Sequence, residues 1–319
     1  MTVLNEEFER RWLVGDRTLD DICRHALAPG GKLLRPVLLI ESAVAVGGRA
    51  ESVMPAAVGT ECGHVASLVH DDIIDGDETR RGRPAVHSAY GMDQAIVAGD
   101  ALIFFLFQCL AECRLTGVPA DRIVAALDVV ARAGYDLCRG QSLESELQGD
   151  LSCDVDTYLT MIRLKTAALF RASCESGAIL GMGSEEWVGA LACYGENLGT
   201  AFQIHDDLLA YTADPASTGK AAVSDVRNRR LTLPVILAYQ NADTADRLRI
   251  EGIMSGAVDT EDAYRALGGI IERTRAVEAS RAMAWGHARQ ARDDLDILPA
   301  GPSRTRLARL AELAVDRDR

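Results

Sequence analysis

A chain of 319 residues sits near the upper limit of what one hydrophobic core supports, and with no Pro/Gly/Ser-rich linker a single domain spanning 1-319 is expected. The formal net charge of -13 excludes non-specific nucleic-acid binding, because a phosphate backbone demands a basic footprint. Eight cysteines without a CxxC pair, and a start (Met1-Thr2-Val3-Leu4-Asn5) with no basic n-region or apolar h-region, predict reduced thiols in a cytoplasmic protein. Apolar runs such as Ala101 to Phe107 fall short of the roughly 20 residues of a membrane span, so none is expected.

The first helical pattern runs from Leu4 to Leu27 and stops at Ala28-Pro29-Gly30-Gly31. Lys32-Leu33-Leu34-Arg35-Pro36 then opens an apolar helix through Val46. A glycine turn with two cations at a helix N-terminus is either an anion seat or an ordinary basic turn. Ser52 to Ile74 forms the next helix, with Glu61, His64 and Ser67 on related faces; taken alone, a His such as His64 is more often a packed residue than a ligand.

That helix delivers Asp71-Asp72-Ile73-Ile74-Asp75. One helical turn apart, Asp71 and Asp75 share a face, with Asp72 beside them. Crowded carboxylates repel unless hard cations or basic groups neutralise them. Oxygen ligands suit Mg²⁺, which takes one or two protein carboxylates and completes its octahedron with waters and substrate phosphates. A diphosphate is therefore the expected guest. Arg80-Arg81-Gly82-Arg83 follows at once, and guanidinium forks match phosphate oxygens. The alternative is a solvated acidic helix end followed by a basic loop.

Asp93 to Cys113 is a strongly apolar helix whose Phe104, Phe105 and Phe107 are core by default. Asp121 to Leu147 is amphipathic, with Gln141 and Glu144 on one face near its end. Asp156 to Leu180 carries Lys165-Thr166. Glu185 to Tyr211 repeats the acidic design with Gln203, Asp206 and Asp207, and two such helices facing each other can hold a diphosphate through bridging metals. Asp214 to Lys220, and the polar Ser224 to Arg230 after it, form a loop that brings cations next to the second acidic helix. Leu231-Thr232-Leu233-Pro234 starts a further apolar helix, Ala242 to Leu298 keeps a helical period, and Ser303 to Asp318 is amphipathic. Nothing alternates with period two over a useful length, which predicts an all-α architecture: a single large helical bundle of roughly ten to twelve helices around a central cavity.

In this order, Gly30-Gly31-Lys32-Leu33-Leu34-Arg35-Pro36, Asp71-Asp72-Ile73-Ile74-Asp75 with Arg80-Arg81-Gly82-Arg83-Pro84, Lys165-Thr166, Phe202-Gln203-Ile204-His205-Asp206-Asp207, and Gly219-Lys220 with Ser224-Asp225 resemble a trans-isoprenyl (polyprenyl) diphosphate synthase, most like the short-chain geranylgeranyl diphosphate synthases. The resemblance runs from about Gly30 to Pro234. It implies an isoprenoid synthase-like fold, a homodimer and condensation of isopentenyl diphosphate with an allylic diphosphate of C5 to C15. It further implies that Asp71 and Asp75 ligate two Mg²⁺ ions with Asp72 in support, and that Asp206 holds a third. Arg80 would contact the allylic diphosphate, and Lys32, Arg35, His64 and Arg81 the isopentenyl diphosphate. Lys165, Thr166, Gln203, Lys220 and Arg230 would surround the leaving diphosphate and the nascent cation.

The pattern departs from the family at Ala210, where a third aspartate is usual, and at Glu144, where an Asp often follows the Gly-Gln pair. Product length should follow the depth below the first cluster. Ala66 and Ser67 are small and leave the first layer open, and Phe104 and Phe105 are candidates for a floor further down, which suggests a C20 product. Two rivals remain: a terpene synthase on the same fold, for which the second basic site has no use, and a non-catalytic partner subunit, which the intact first cluster disfavours.

Overall fold

The computed structural model describes residues 2–12, 18–27, 31–212, 225–256 and 260–316. Among these lie fifteen α-helices. The sequence suggested fewer because helical periodicity continues across short breaks. Leu4 to Leu27 is two helices, α1 (Thr2–Trp12) and α2 (Thr18–Leu27). Asp156 to Leu180 is α8 (Val155–Ile162) and α9 (Ala168–Leu180), joined by a π-helical turn at Arg163–Ala167. Ala242 to Leu298 contains α12 (Thr244–Met254), α13 (Thr260–Arg273) and α14 (Ala276–Asp294).

The chain divides into two compact units. Unit 1 comprises Met1–Val130, Ser173–Gly189 and Gly301–Ser303; unit 2 comprises Ala131–Ala172, Ala190–Ala300 and Arg304–Arg319. No linker is legible because the boundaries fall inside continuous helices: α7 (Ala120–Glu146), α9 and α10 (Glu185–Thr212) each contribute to both units.

Unit 1 is built on α4 (Ala50–Asp75), which packs against α3 (Leu34–Ala45) and α6 (Met92–Glu112). Small and branched residues dominate the buried side of α4, including Val53, Ala56, Ala57, Val65 and Ala66. Gly76, in the left-handed conformation, caps the helix, its N–H bonding back to the Asp72 and Ile73 carbonyls. A two-stranded hairpin follows, β1 (Thr79–Arg80) with β2 (Arg83–Pro84), too short to leave an alternating signature in the sequence. Its two-residue corner, Arg81 at φ +52° and Gly82 at φ +75°, has the handedness that matches strand twist. The short α5 (Val86–Tyr90) leads into α6.

Leu102, Leu106, Cys109 and Leu110 form the buried face of α6. By length and composition the segment Met92–Thr116 would suffice to cross a membrane, with a mean hydropathy of 1.8, longer than the uninterrupted apolar runs suggested because its charges are widely spaced. Unit 2 holds its own core, in which Tyr158, Ile162, Ile204, Leu233, Leu267 and Ile270 are buried together. Pro234 opens α11 (Leu233–Asn241), where its missing N–H has no helical acceptor to lose. α15 (Pro302–Leu313) ends the regular structure.

Candidate active site

In unit 1, Asp71, Asp72 and Asp75 occupy the last turn and a half of α4. This is the negative end of a helix dipole, where carboxylates are disfavoured unless cations accompany them. Asp72, 2% exposed, is neutralised within the protein: Arg80 donates through Nε to its Oδ1 at 2.8 Å, and the second guanidinium nitrogen reaches the same oxygen. Burial alone would lower the Arg80 pKa, but the hydrogen bond and charge of Asp72 outweigh it and hold it above its ordinary value. Asp72 is thus tied to Arg80, while Asp71 and Asp75 on the same helix end are only partly buried. Among the described residues no three His, Cys, Asp or Glu side chains cluster as a ready-made metal cage. Two carboxylates beside an anion-binding surface nevertheless fit Mg²⁺, which draws its remaining ligands from phosphate and water.

Basic residues of unit 1 also gather near His64. The Arg81 guanidinium lies against Gly31, where a Cβ would stand 2.9 Å from its Nη1, so a bare backbone is what admits this approach. Lys32 is exposed beside it, and the first turn of α3 has no side-chain cap at Leu33. His64 is held well below its ordinary pKa by burial first and then by Arg35 and Arg81, and its Nδ1 has no hydrogen-bond partner among the described residues. Glu61, 4% exposed, lies within the field of the same two arginines; burial raises its pKa and they pull it back. A buried, neutral imidazole within the field of these guanidinium groups suits an anion that brings its own charge.

In unit 2, α10 places Gln203, Asp206 and Asp207 on one side. Asp206 is partly buried and Asp207 is 8% exposed. Gln203 Nε2 donates to Asp207 Oδ1 at 2.8 Å, Tyr158 Oη donates to Asp207 Oδ2 at 2.7 Å, and Thr166 Oγ1 donates to Gln203 Oε1 at 2.8 Å. Burial pushes the Asp207 carboxyl up to about 7 against the pull of the Tyr158 hydrogen bond. The π turn that carries Lys165 and Thr166 presses on α7 at Gly140, where a Cβ would lie 2.7 Å from Lys165 Cα and 2.8 Å from the Leu164 carbonyl carbon. Lys165 Nζ is ion-paired with Glu144, which also accepts from Gln141 Nε2 at 3.4 Å and lies 3.9 Å from Arg230 Nε. Arg230 Nη1 reaches Asp225 Oδ1 at 3.2 Å. Lys220 lies outside the described residues.

Ala210 is buried, and its carbonyl accepts the Tyr264 hydroxyl at 2.8 Å. An aspartate there would have to enter packed surroundings. Ala66 is fully buried, and Ser67 Oγ returns to the His64 carbonyl at 2.8 Å. Phe104 corrects the expectation of a floor. It is 70% exposed, on the side of α6 opposite Leu102 and Leu106, whereas Phe105 is partly buried. Sequence reasoning assigned no role to Glu61 or Tyr158, and counted Asp207 only as part of the second acidic cluster. Glu61 one turn before His64 and Asp207 one turn after Gln203 carry a signal in their helical spacing; Tyr158 carries none.

A model of the polyprenyl synthetase family matches residues 16–268. The short chain isoprenyl diphosphate synthase of Methanothermobacter thermautotrophicus is 37% identical over 308 residues, spanning 96% of this chain and 93% of that one. The crystal structure of geranylgeranyl pyrophosphate synthetase from Pyrococcus horikoshii superposes with a TM-score of 0.91 at 35% identity, over 99% of this chain and 95% of the other. Polyprenyl synthase from Caulobacter crescentus, complexed with calcium and isoprenyl diphosphate, gives a TM-score of 0.91 at 32% identity, over 100% and 95%. The all-α fold and the two aspartate-bearing helices are those of a trans-prenyltransferase. The chain belongs to the polyprenyl synthetase family.

Proposed function

We propose that this protein performs Mg²⁺-dependent head-to-tail condensation of isopentenyl diphosphate with an allylic diphosphate of C5 to C15, ending at the C20 geranylgeranyl diphosphate. The observation that carries the reading is the presence, within unit 1, of two partly buried carboxylates at one helix end together with a group of basic residues, Lys32, Arg35 and Arg81, around His64. Two diphosphates need two such places, one met through cations and one through guanidinium groups. A cyclase, which binds a single diphosphate, has no use for the second.

Asp71 and Asp75 would hold Mg²⁺, and Asp206 a third ion; such ions would supply positive charge against the charge that develops on a departing diphosphate. In unit 1, Arg80, tethered by Asp72, would add its guanidinium to the allylic diphosphate, and in unit 2 Lys165 and Arg230, with Lys220 as the sequence suggests, would supply cations for a departing diphosphate. Oxygen dipoles of Thr166 and Gln203 face the allylic cation as the carbon–oxygen bond breaks. Lys32, Arg35, His64 and Arg81 hold isopentenyl diphosphate so that its double bond attacks the cation, and the released proton passes to the departing diphosphate. His64 stays neutral in this role, because its environment disfavours a further positive charge. The small side chains of Ala66 and Ser67 and the flanking Phe105 set product length, and the relative from Pyrococcus horikoshii, a geranylgeranyl pyrophosphate synthetase, supports C20.

Two copies meet, on this reading, along the apolar outer side of α6, where Ile96, Val97 and Phe104 are exposed. All eight cysteines are unpaired, which suits a reducing, cytoplasmic setting. Chromatography of products formed from isopentenyl diphosphate with each of the C5, C10 and C15 primers tests the proposal. A C20 product from all three is expected. No condensation with any primer, or conversion of geranylgeranyl diphosphate alone into a hydrocarbon or alcohol, overturns it.

A further inference from the structure

We infer that Tyr158 and Asp207 are positioning residues that fix which end of the Gln203 amide faces the reacting carbon. The inference rests on the condensation proposed above, because it assigns Gln203 a task in that reaction.

An amide side chain has two ends of nearly equal shape, one accepting and one donating hydrogen bonds, and at a partly buried position its neighbours decide between them. Thr166 cannot decide. Its hydroxyl donates or accepts equally well, so it would pair with Gln203 either way round. Asp207 can: the Tyr158 hydroxyl donates to one of its oxygens, the other, Oδ1, stands as an acceptor 2.8 Å from Gln203 Nε2, and the amide nitrogen is thereby drawn to Asp207 while Oε1 is left toward Thr166. Asp207 is itself pinned, its other oxygen taking the Tyr158 hydroxyl at 2.7 Å from a fully buried ring on α8. The donors then run in one direction, from Thr166 to Gln203 to Asp207, with Tyr158 closing the far end. Such a chain polarises itself and strengthens each member.

The consequence lies on the acceptor side. With the Thr166 proton spent on Gln203, the remaining lone pairs of Thr166 Oγ1 and Gln203 Oε1 present negative dipole ends together. A turned amide would present a positive N–H edge and oppose the formation of an allylic cation. Tyr158 and Asp207 therefore act on the ionisation step without touching substrate, and their loss should lower kcat while leaving ground-state binding in place.

The test is steady-state kinetics of Tyr158→Phe, with a double-mutant cycle against Gln203→Leu, and the Kd of an allylic thiolodiphosphate, which binds but ionises poorly. Tyr158→Phe should lower kcat about tenfold or more, with KM for both diphosphates and the thiolodiphosphate Kd unchanged. In the Gln203→Leu background, the same change should cost nothing further. Asp207→Asn keeps the shape and offers either end to Gln203, so it should give an intermediate loss and serves if Tyr158→Phe does not fold. Wild-type kcat in the folded variant, or a Tyr158→Phe penalty that persists in full without Gln203, overturns the inference. Condensation by the wild-type protein in the same assay keeps that failure distinct from failure of the proposed reaction.

Discussion

Arg80 and Asp72 form an ion pair across the mouth of the hairpin, Nε to Oδ1 at 2.8 Å, with the carboxylate side chain 3% exposed and the guanidinium 37% exposed. The pair makes one carboxylate of an aspartate-rich helix end an anchor for an arginine of the hairpin that follows. Removing one member strands the other, so Arg80→Ala should cost about 1–3 kcal/mol of stability, the lower part of the buried-pair range because Arg80 is partly solvated. The double variant with Asp72→Asn should recover a part of that loss. Chemical denaturation of the three proteins checks this; no recovery in the double variant would show that the pair is not what Arg80 contributes.

Asp71→Ala changes a partly buried side chain near the end of α4. Condensation should be lost, with the far-ultraviolet dichroism and melting temperature close to those of the parent. Turnover at the parental rate with Mg²⁺ present would remove Asp71 from the metal site.

Gly140→Ala tests the contact between α7 and the π turn. A methyl group there would meet the backbone of Lys165 and Leu164, which cannot turn aside as a flexible side chain can. Overpacking of this kind costs about 1–3 kcal/mol, and displacement of Lys165 and Thr166 should lower kcat about tenfold or more. Gly31→Ala meets only the far end of Arg81 and should act mildly, as a rise of a few fold in the KM for isopentenyl diphosphate. Equal effects of the two substitutions would contradict the distinction.

Phe104→Ala should leave product length unchanged, because the ring points outward, and should weaken self-association if α6 is the shared face. Ala66→Phe, at a fully buried position one turn before the aspartates, should shorten the product. Chromatography of products together with light scattering on the eluting protein separates the two outcomes.

Acid should weaken the fold partly through His287. Its Nδ1 lies 3.1 Å from Asn197 Oδ1, and Asn197 Nδ2 donates to Asp294 at 2.9 Å, so the imidazole is a neutral donor through Nδ1. Burial, and then the charge of Arg163, lowers its pKa below the ordinary 6.5. Below that pH the unfolded chain binds a proton the folded one resists, so stability falls as pH drops through 6.5 and on toward the lowered folded value. His287→Gln should flatten the slope between about pH 7 and pH 5, and an unchanged slope in denaturation curves would rule the residue out.

The helices were legible wherever a long apolar stripe had a clear start and stop. Ser52 to Ile74 anticipates α4 to within two residues at its start and one at its end, and Asp121 to Leu147 anticipates α7 to within one. Breaks that preserve helical periodicity were not legible, as at Arg163–Ala167, because a π turn keeps the same residue types in nearly the same rhythm. Within the site, chemistry that depends on residues one turn apart was visible. The Arg80 tether on Asp72 was not, since it depends on the hairpin corner, and Tyr158 was not, since its partner lies 49 positions away. Phe104 misled for a related reason: an aromatic run on an apolar helix does not announce which ring faces out.

The π turn also explains how one stretch of chain can grip α10 twice. In a regular helix Tyr158 and Thr166 would be rotated apart by about 80°, at about 100° per residue, and could not both lie over the same neighbour. Taking up one extra residue in the widened turn brings that offset back to roughly 20° in the other sense. Tyr158 then meets Asp207 while Thr166 meets Gln203. Deleting a single residue from Arg163–Ala167 would restore a straight cylinder and, by the same rotation, uncouple the two grips from each other.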